Sequence, residues 1–314
     1  MRVLIALGGN ALLLRGERPD AETQRANVVA AAGAIAEIAR VHEVVLTHGN
    51  GPQVGMLALE SAADPALSRP YPLDVLGAQT QGMIGYLVGQ ALQNELPDRQ
   101  VATLVTQTLV SAADPAFTAP TKFVGAVYPE AEARRLAQRY GWTVRPDGPA
   151  WRRVVPSPRP QRIVETRLIR SLVAAGTVVV CAGGGGVPVV RDATTGALRG
   201  TEAVVDKDLT AALLAEALDA DALLLVTDVA AVMTGYGTPD AAPIADTTPA
   251  QLRAQPFPEG SMGPKVDAAC RFAELTGGMA GIGALDAAAA MLRGESGTVV
   301  TPAGRWPAGR ERPR

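Results

Sequence analysis

Short continuous apolar runs alternate along this chain with longer stretches of helical periodicity, and that alternation leaves little choice of fold. The runs Arg2–Leu7, Glu43–Thr47, Val101–Thr106, Thr177–Cys181, Ala222–Val226 and Thr298–Thr301 read as strands. Between them Ala21–Arg40, Leu73–Glu95, Gln161–Ala175, Asp206–Leu218, Lys265–Thr276 and Asp286–Arg293 read as helices. Strands that are apolar on both faces, with a helix between each and the next, belong to a mainly parallel sheet covered by crossovers. The expected class is therefore α/β. In such sheets ligands bind beyond the carboxyl ends of the strands, so the turns there are where chemistry is expected.

The stretch from about 117 to 161 interrupts the alternation. It is dense in proline and holds Phe117, Phe123, Tyr128, Tyr140, Trp142 and Trp151, six of the chain's twelve aromatics. A structureless loop of that length is uncommon in a compact domain, so an excursion with its own aromatic mini-core is expected beside the sheet. The remainder of residues 1–302 forms one domain, and the polar, proline-rich residues 303–314 are expected to fray.

Bulk properties exclude several classes of function. A net charge of -2 over 314 residues offers no basic field for nucleic acid. No apolar run approaches the roughly 18 residues of a membrane span. Residues 1–9 read as a strand entering a glycine turn and not as a secretory leader, so a cytoplasmic location is expected. Cys181 and Cys270 both sit in apolar stretches, as small buried hydrophobes do.

Three strand ends carry glycine. The first strand runs into Gly8-Gly9-Asn10, the second into His48-Gly49-Asn50-Gly51 at a helix start, and Thr177–Cys181 into the run Gly183 to Gly186. Glycine lets a backbone turn sharply and approach a ligand closely, and exposed N–H groups at a helix start favour anions. Either glycine–asparagine turn alone is ordinary punctuation; two after consecutive strands suggest a phosphate or substrate site. The four-glycine run fits either a close approach to ligand or a flexible linker. His48 shows no sequence partner that would make it catalytic. Neither GxxxxGK[ST] nor GxGxxG occurs, which disfavours a P-loop or a standard dinucleotide site.

Of the 29 basic residues only Lys122, Lys207 and Lys265 are lysine. Asp206 is a candidate N-cap for a helix that Lys207 opens, and Pro264 suits the first position of a helix that includes Lys265. Both ammonium groups thus fall in a helix's first turn, where the dipole disfavours a cation by a few tenths to about 1 kcal/mol. A chain sparing with lysine has placed two where they are locally costly, as a polyphosphate site requires. Asp208 is positioned to pair with one or both. The alternative is a solvated helix start with a surface salt bridge. Lys122 alone reads as a loop charge. After the strand Ala222–Val226 come Asp228 and, further on, Tyr236, which with nearby apolar groups could flank an adenine ring.

The segments ALGGNAL (6–12), THGNGPQVG (47–55), PLDVLGAQTQGMIGY (72–86), DPAFTAPTKFVG (114–125), RRVVPSPRP (152–160), GGGGVPVV (183–190), TEAVVDKDLTAALLA (201–215) and GSMGPKV (260–266) closely resemble the carbamate kinases of the amino-acid-kinase superfamily. The resemblance spans nearly everything from Arg2 to Pro302. It implies a three-layer αβα sandwich with a mainly parallel central sheet, a small protruding subdomain where the excursion lies, and a homodimer. It implies reversible phosphoryl transfer between ATP and carbamate, with ADP and carbamoyl phosphate as the other pair. By matching position, Gly8, Gly9, Asn10, Gly49, Asn50 and Gly51 would line the carbamate and phosphoryl site. Lys207 and Lys265 would contact phosphoryl oxygens, Asp208 would organise them, and Lys122 would reach in from the subdomain. Asp228, Tyr236, Met262 and Gly263 would hold the nucleotide with its Mg²⁺, the metal having no direct protein ligand. The chain departs from the family at Phe123, where proline is usual, and around Tyr236. The rival readings are another small-molecule kinase of this superfamily and a non-catalytic nucleotide sensor.

Overall fold

The computed structural model describes residues 1–9, 12–13, 17–18, 20–257 and 262–306. Its main sheet has eight strands: β1 (Arg2–Leu7), β2 (Glu43–His48), β3 (Val101–Thr103), β4 (Val178–Val180), β5 (Ala222–Thr227), β6 (Asp246–Thr247), β7 (Met279–Ala284) and β8 (Thr298–Val300). They lie in the order β6-β8-β7-β5-β1-β2-β4-β3. Every neighbouring pair is parallel except β7 with β8.

Alternation along the strands builds a core on each face. Val3, Ile5 and Leu7 join Val44, Leu46, Leu224 and Val226 in one buried cluster. Leu4 and Ala6 join Val45, Val179, Leu223 and Leu225 in the other. The helices are α1 (Ala21–Ala39), α2 (Gly51–Ala63), α3 (Leu73–Glu95), α4 (Glu130–Tyr140), α5 (Thr166–Ala174), α6 (Lys207–Ala217), α7 (Pro249–Arg253), α8 (Met262–Thr276) and α9 (Ala288–Leu292). Residues of α1, α3 and α9 complete the first cluster, and those of α5 to α8 the second. Two helical layers thus enclose the sheet, as a three-layer sandwich requires.

Several elements differ from the sequence reading. The run Val101–Thr106 is not one strand. The chain leaves the main sheet after Thr103 and re-pairs at Gln107–Val110 in a four-stranded sheet with Pro160–Ile163, Val187–Arg191 and Leu198–Gly200. At the changeover the Gln81 amide grips the Thr106 peptide, Nε2 donating to its carbonyl at 3.1 Å and Oε1 accepting from its N–H at 3.0 Å. A side chain thus replaces the ladder there. The helix expected from Gln161 starts at Thr166, because Pro160–Ile163 pairs first with Gln107–Val110. β7 was invisible in the sequence because its MAGIGA run lacks the bulk of a strand signal. Its glycines are small for packing: a Cβ on Gly281 would stand 2.9 Å from Leu224, and one on Gly283 2.8 Å from Met291 Sδ.

The excursion forms a three-stranded antiparallel sheet, Lys122–Tyr128, Ala150–Val155 and Thr143–Asp147, with α4 against it. Its aromatics do not make the expected mini-core, for all are half-buried. Tyr140 and Trp142 pack at 5.2 Å, while Arg134 and Arg153 lie over Trp151 and Trp142. The buried groups are Val124 and Val155, packed with Val54, Ala58, Leu73 and Leu76 of α2 and α3. After Pro302, Trp306 packs on the first core cluster and donates to the Leu292 carbonyl at 3.2 Å; residues 307–314 lie outside the described residues. Both cysteines are buried, and burial pushes the Cys181 thiol up and that of Cys270 up to about 11.

Candidate active site

The carboxyl ends of β1, β2 and β5 come together through backbone contacts. A Cβ on Gly49 would stand 2.9 Å from the Gly9 nitrogen, and one on Gly8 3.0 Å from the Val226 carbonyl. Gly183 to Gly186 is no linker. The run is buried, and Gly184, Gly185 and Gly186 all have positive φ. A Cβ on Gly183 would strike the His48 ring at 2.3 Å, and one on Gly184 the Asn50 side chain at 2.1 Å. Asn50 is held from the other side, its Nδ2 donating to Thr80 Oγ1 at 2.8 Å.

His48 is fully enclosed, with Nδ1 3.0 Å from the Gly49 carbonyl. Burial, reinforced by the Lys207 charge and opposed by that hydrogen bond, lowers its pKa to about 4. The imidazole is therefore neutral near neutral pH.

The two helix-start lysines meet on one carboxylate. Asp206 caps α6, its Oδ1 accepting from the Asp208 and Leu209 N–H groups at 2.9 and 3.2 Å. That cap aims Lys207 and Asp208 together. Lys207 Nζ lies 2.5 Å from Asp208 Oδ1, and Lys265 Nζ, arriving from α8, 3.0 Å from Oδ2. The Asp208 side chain is 5 % exposed and each lysine 13 %. Burial alone would raise the Asp208 carboxyl, but the two ammonium groups outweigh it and hold it well below the usual carboxylate range. Burial lowers the Lys207 pKa, Asp208 opposes that shift, and the Lys265 charge adds to it.

Lys122 reaches the same helix start from the protruding subdomain, its Nζ 2.5 Å from Asp206 Oδ2. The sequence offered Asp206 only as a cap; no local pattern reveals a contact across 84 residues. Glu202, also missed, accepts from the Leu73 N–H at 2.8 Å and pairs with Arg153 at 3.2 Å. Thr80 and Gln81 could have been noticed as two polar residues in the interior of the α3 pattern.

Of the remaining candidates, Met262 and Gly263 open α8 just before Lys265. Asp228 ends the β5 turn, its Oδ1 accepting from Thr227 Oγ1 at 3.2 Å. Tyr236 is 75 % exposed in a surface loop. Gly51 begins α2, while Asn10 lies outside the described residues.

Comparison with known proteins gives a consistent result. The model of the amino acid kinase family matches residues 1–280. The carbamate kinase of Rhizobium meliloti is 54% identical over 96% of this chain and 93% of its own length. That of Haemophilus influenzae is 50% identical over 96% and 97%. The structure of the carbamate kinase from Giardia lamblia bound to AMP-PNP superposes with a TM-score of 0.87 at 43% identity, covering 96% of this chain and 98% of that one.

Proposed function

The chain belongs to the amino acid kinase family, and from that premise we propose that it is an ATP:carbamate phosphotransferase, catalysing ADP + carbamoyl phosphate ⇌ ATP + carbamate. The observation that carries this reading is the pair of ammonium groups sharing the Asp208 carboxylate at the carboxyl edge of the sheet.

Phosphoryl transfer passes through a loose transition state, so positioning and charge neutralisation do most of the catalysis. A carbamate oxygen is already anionic and needs no general base, which suits a neutral His48 whose Nδ1 faces a carbonyl. Two anions must nonetheless approach each other. An ammonium about 4 Å from one unit of charge contributes roughly 4 kcal/mol at an effective dielectric of 20. The part realised only in the transition state speeds turnover. In this reading Lys207 and Lys265 hold the transferring phosphoryl oxygens, and the shared carboxylate keeps the two cations together before substrate arrives. Lys122 supplies a third positive charge. The glycine turns at Gly8–Gly9 and Gly49–Gly51, with Asn50, line the acceptor side. Asp228, Tyr236, Met262 and Gly263 are assigned to the nucleotide.

Among the described residues no group of three or more His, Cys, Asp or Glu side chains could hold a metal ion, and Asp206 and Asp208 are engaged by lysines. Mg²⁺ is assigned to the nucleotide phosphates, on which this ion commonly arrives. When bound it neutralises charge on those oxygens. A homodimer and a cytoplasmic location complete the reading; among the described residues no helix is long and apolar enough to cross a membrane.

Incubation with ADP, Mg²⁺ and carbamoyl phosphate should produce ATP. Failure to do so, together with ATP-dependent phosphorylation of another carboxylate or phosphate acceptor in a substrate panel, would overturn the assignment.

A further inference from the structure

The Asp206 carboxylate has two occupations on its two oxygens. Oδ1 takes two backbone N–H groups at the start of α6. Oδ2 takes the Lys122 ammonium at 2.5 Å. The first contact fixes the carboxylate, because a cap has little freedom once both hydrogen bonds form. The second therefore gives Lys122 a fixed address. Lys122 needs one: its side chain is 35 % exposed, against 13 % for Lys207 and Lys265, and it stands on a separate small sheet. A free lysine stem samples many rotamers, and a cation already in place costs no reorganisation when charge develops. Asp206 and Asp208, two positions apart on the same helix start, thus distribute three ammonium groups between them and leave one net positive charge.

We infer that Asp206 is a positioning residue for phosphoryl transfer, tethering Lys122 of the protruding subdomain to the helix start that presents Lys207 and Asp208. The inference rests on the phosphotransferase reading for its kinetic consequence, but not for the tether.

The two occupations separate chemically. A cap needs an acceptor oxygen, which asparagine keeps; holding an ammonium needs the negative charge, which asparagine lacks. Asp206→Asn should therefore melt close to the wild type while kcat falls on the order of tenfold, the low end for a hydrogen bond to a charged group. In a Lys122→Ala background the same substitution should change kcat by less than about twofold, since the interaction is already gone. An equal loss in both backgrounds, or no loss in either, would overturn the tether's catalytic role. If Asp206→Asn does not fold, Asp206→Ser, which also caps without charge, goes through the same cycle.

A second readout needs no turnover. With three lysines in the chain, selective labelling of the lysine side chains gives three NMR signals, assigned by Lys→Arg substitution. Asp206→Asn should move the Lys122 signal most, shift that of Lys207 less, since the Asp206 charge also reaches its neighbour, and leave Lys265 nearest its wild-type position. An unmoved Lys122 signal would sink the tether itself. A wild-type protein that forms no ATP would count against the function proposed above and leave this NMR result to stand or fall alone.

Discussion

On the sheet side of the site, glycine backbone packs too closely on its neighbours to admit a side chain; on the subdomain side groups meet mainly charge to charge. Gly8, Gly49 and Gly183 to Gly186 pack so closely that a methyl group at several of these positions would overlap a neighbour. The protruding subdomain instead packs a small valine cluster on α2 and α3 and is held by the pairs Lys122–Asp206 and Arg153–Glu202. Backbone touches backbone at one crossing, where a Cβ on Gly55 would stand 2.1 Å from Gly125 Cα. Steric fit fixes the first half, and single charges tune the second. The two halves should therefore fail differently.

The largest break is expected at the sheet-side lysines. Lys207→Ala or Lys265→Ala should lower turnover by on the order of 10²–10³, with the fold retained in circular dichroism. Near-wild-type turnover in either would remove it from the phosphoryl site.

Acid tests the same half through stability. Burial holds folded His48 at about 4, whereas the unfolded chain titrates near 6.5. Between those values the unfolded state binds the extra proton, so stability rises with pH and is lost as pH falls through the window. The loss from this group is about 3 kcal/mol. Urea melts at pH 7 and pH 4.5 should show most of it in the wild type and not in His48→Gln; equal losses in both would contradict the enclosed, neutral imidazole.

At the crossing, Gly55→Ala must push the subdomain strand away. Overpacking of this kind costs about 1–3 kcal/mol. The loss should appear as lowered turnover that a simultaneous Lys122→Ala does not deepen. Additive losses would mean that the crossing does not position Lys122.

The smallest effect is expected at Glu202→Gln. Glutamine keeps an acceptor for the Leu73 N–H but loses the charge facing Arg153. Glu202 is 53 % exposed and Arg153 only 15 %, so the pair contributes about 1 kcal/mol, the upper end for a surface pair, and salt screens it from the Glu202 side. The gap between variant and wild type in thermal melts should close as salt rises; a gap independent of salt would point to the cap.

The sheet half was also the more legible in the sequence. Apolar runs and glycine turns are local signals, and they located β1, β2, β4 and β5 with their carboxyl ends. The scarcity of lysine, with two at helix starts, led to the Asp208 pair. What escaped depends on partners remote in sequence. Asp206 with Lys122 and Glu202 with Arg153 join residues 84 and 49 positions apart, and no periodicity encodes such a meeting. β7 escaped for a different reason: its glycines answer to Met291 and Leu224 packed against them, so the strand's demand for small residues erased its own signature.

The two buried cysteines have a practical consequence. Cys181 and Cys270 are 1 % and 0 % exposed, so the native chain offers thiol-directed probes almost no background. Two cysteines introduced at Val127, 56 % exposed on the subdomain sheet, and at Val41, 73 % exposed on the sheet half, could carry a pair of fluorophores or spin labels by themselves. Relative motion of the two halves during turnover then becomes a distance that can be followed in real time, without first stripping the protein of its own sulfur.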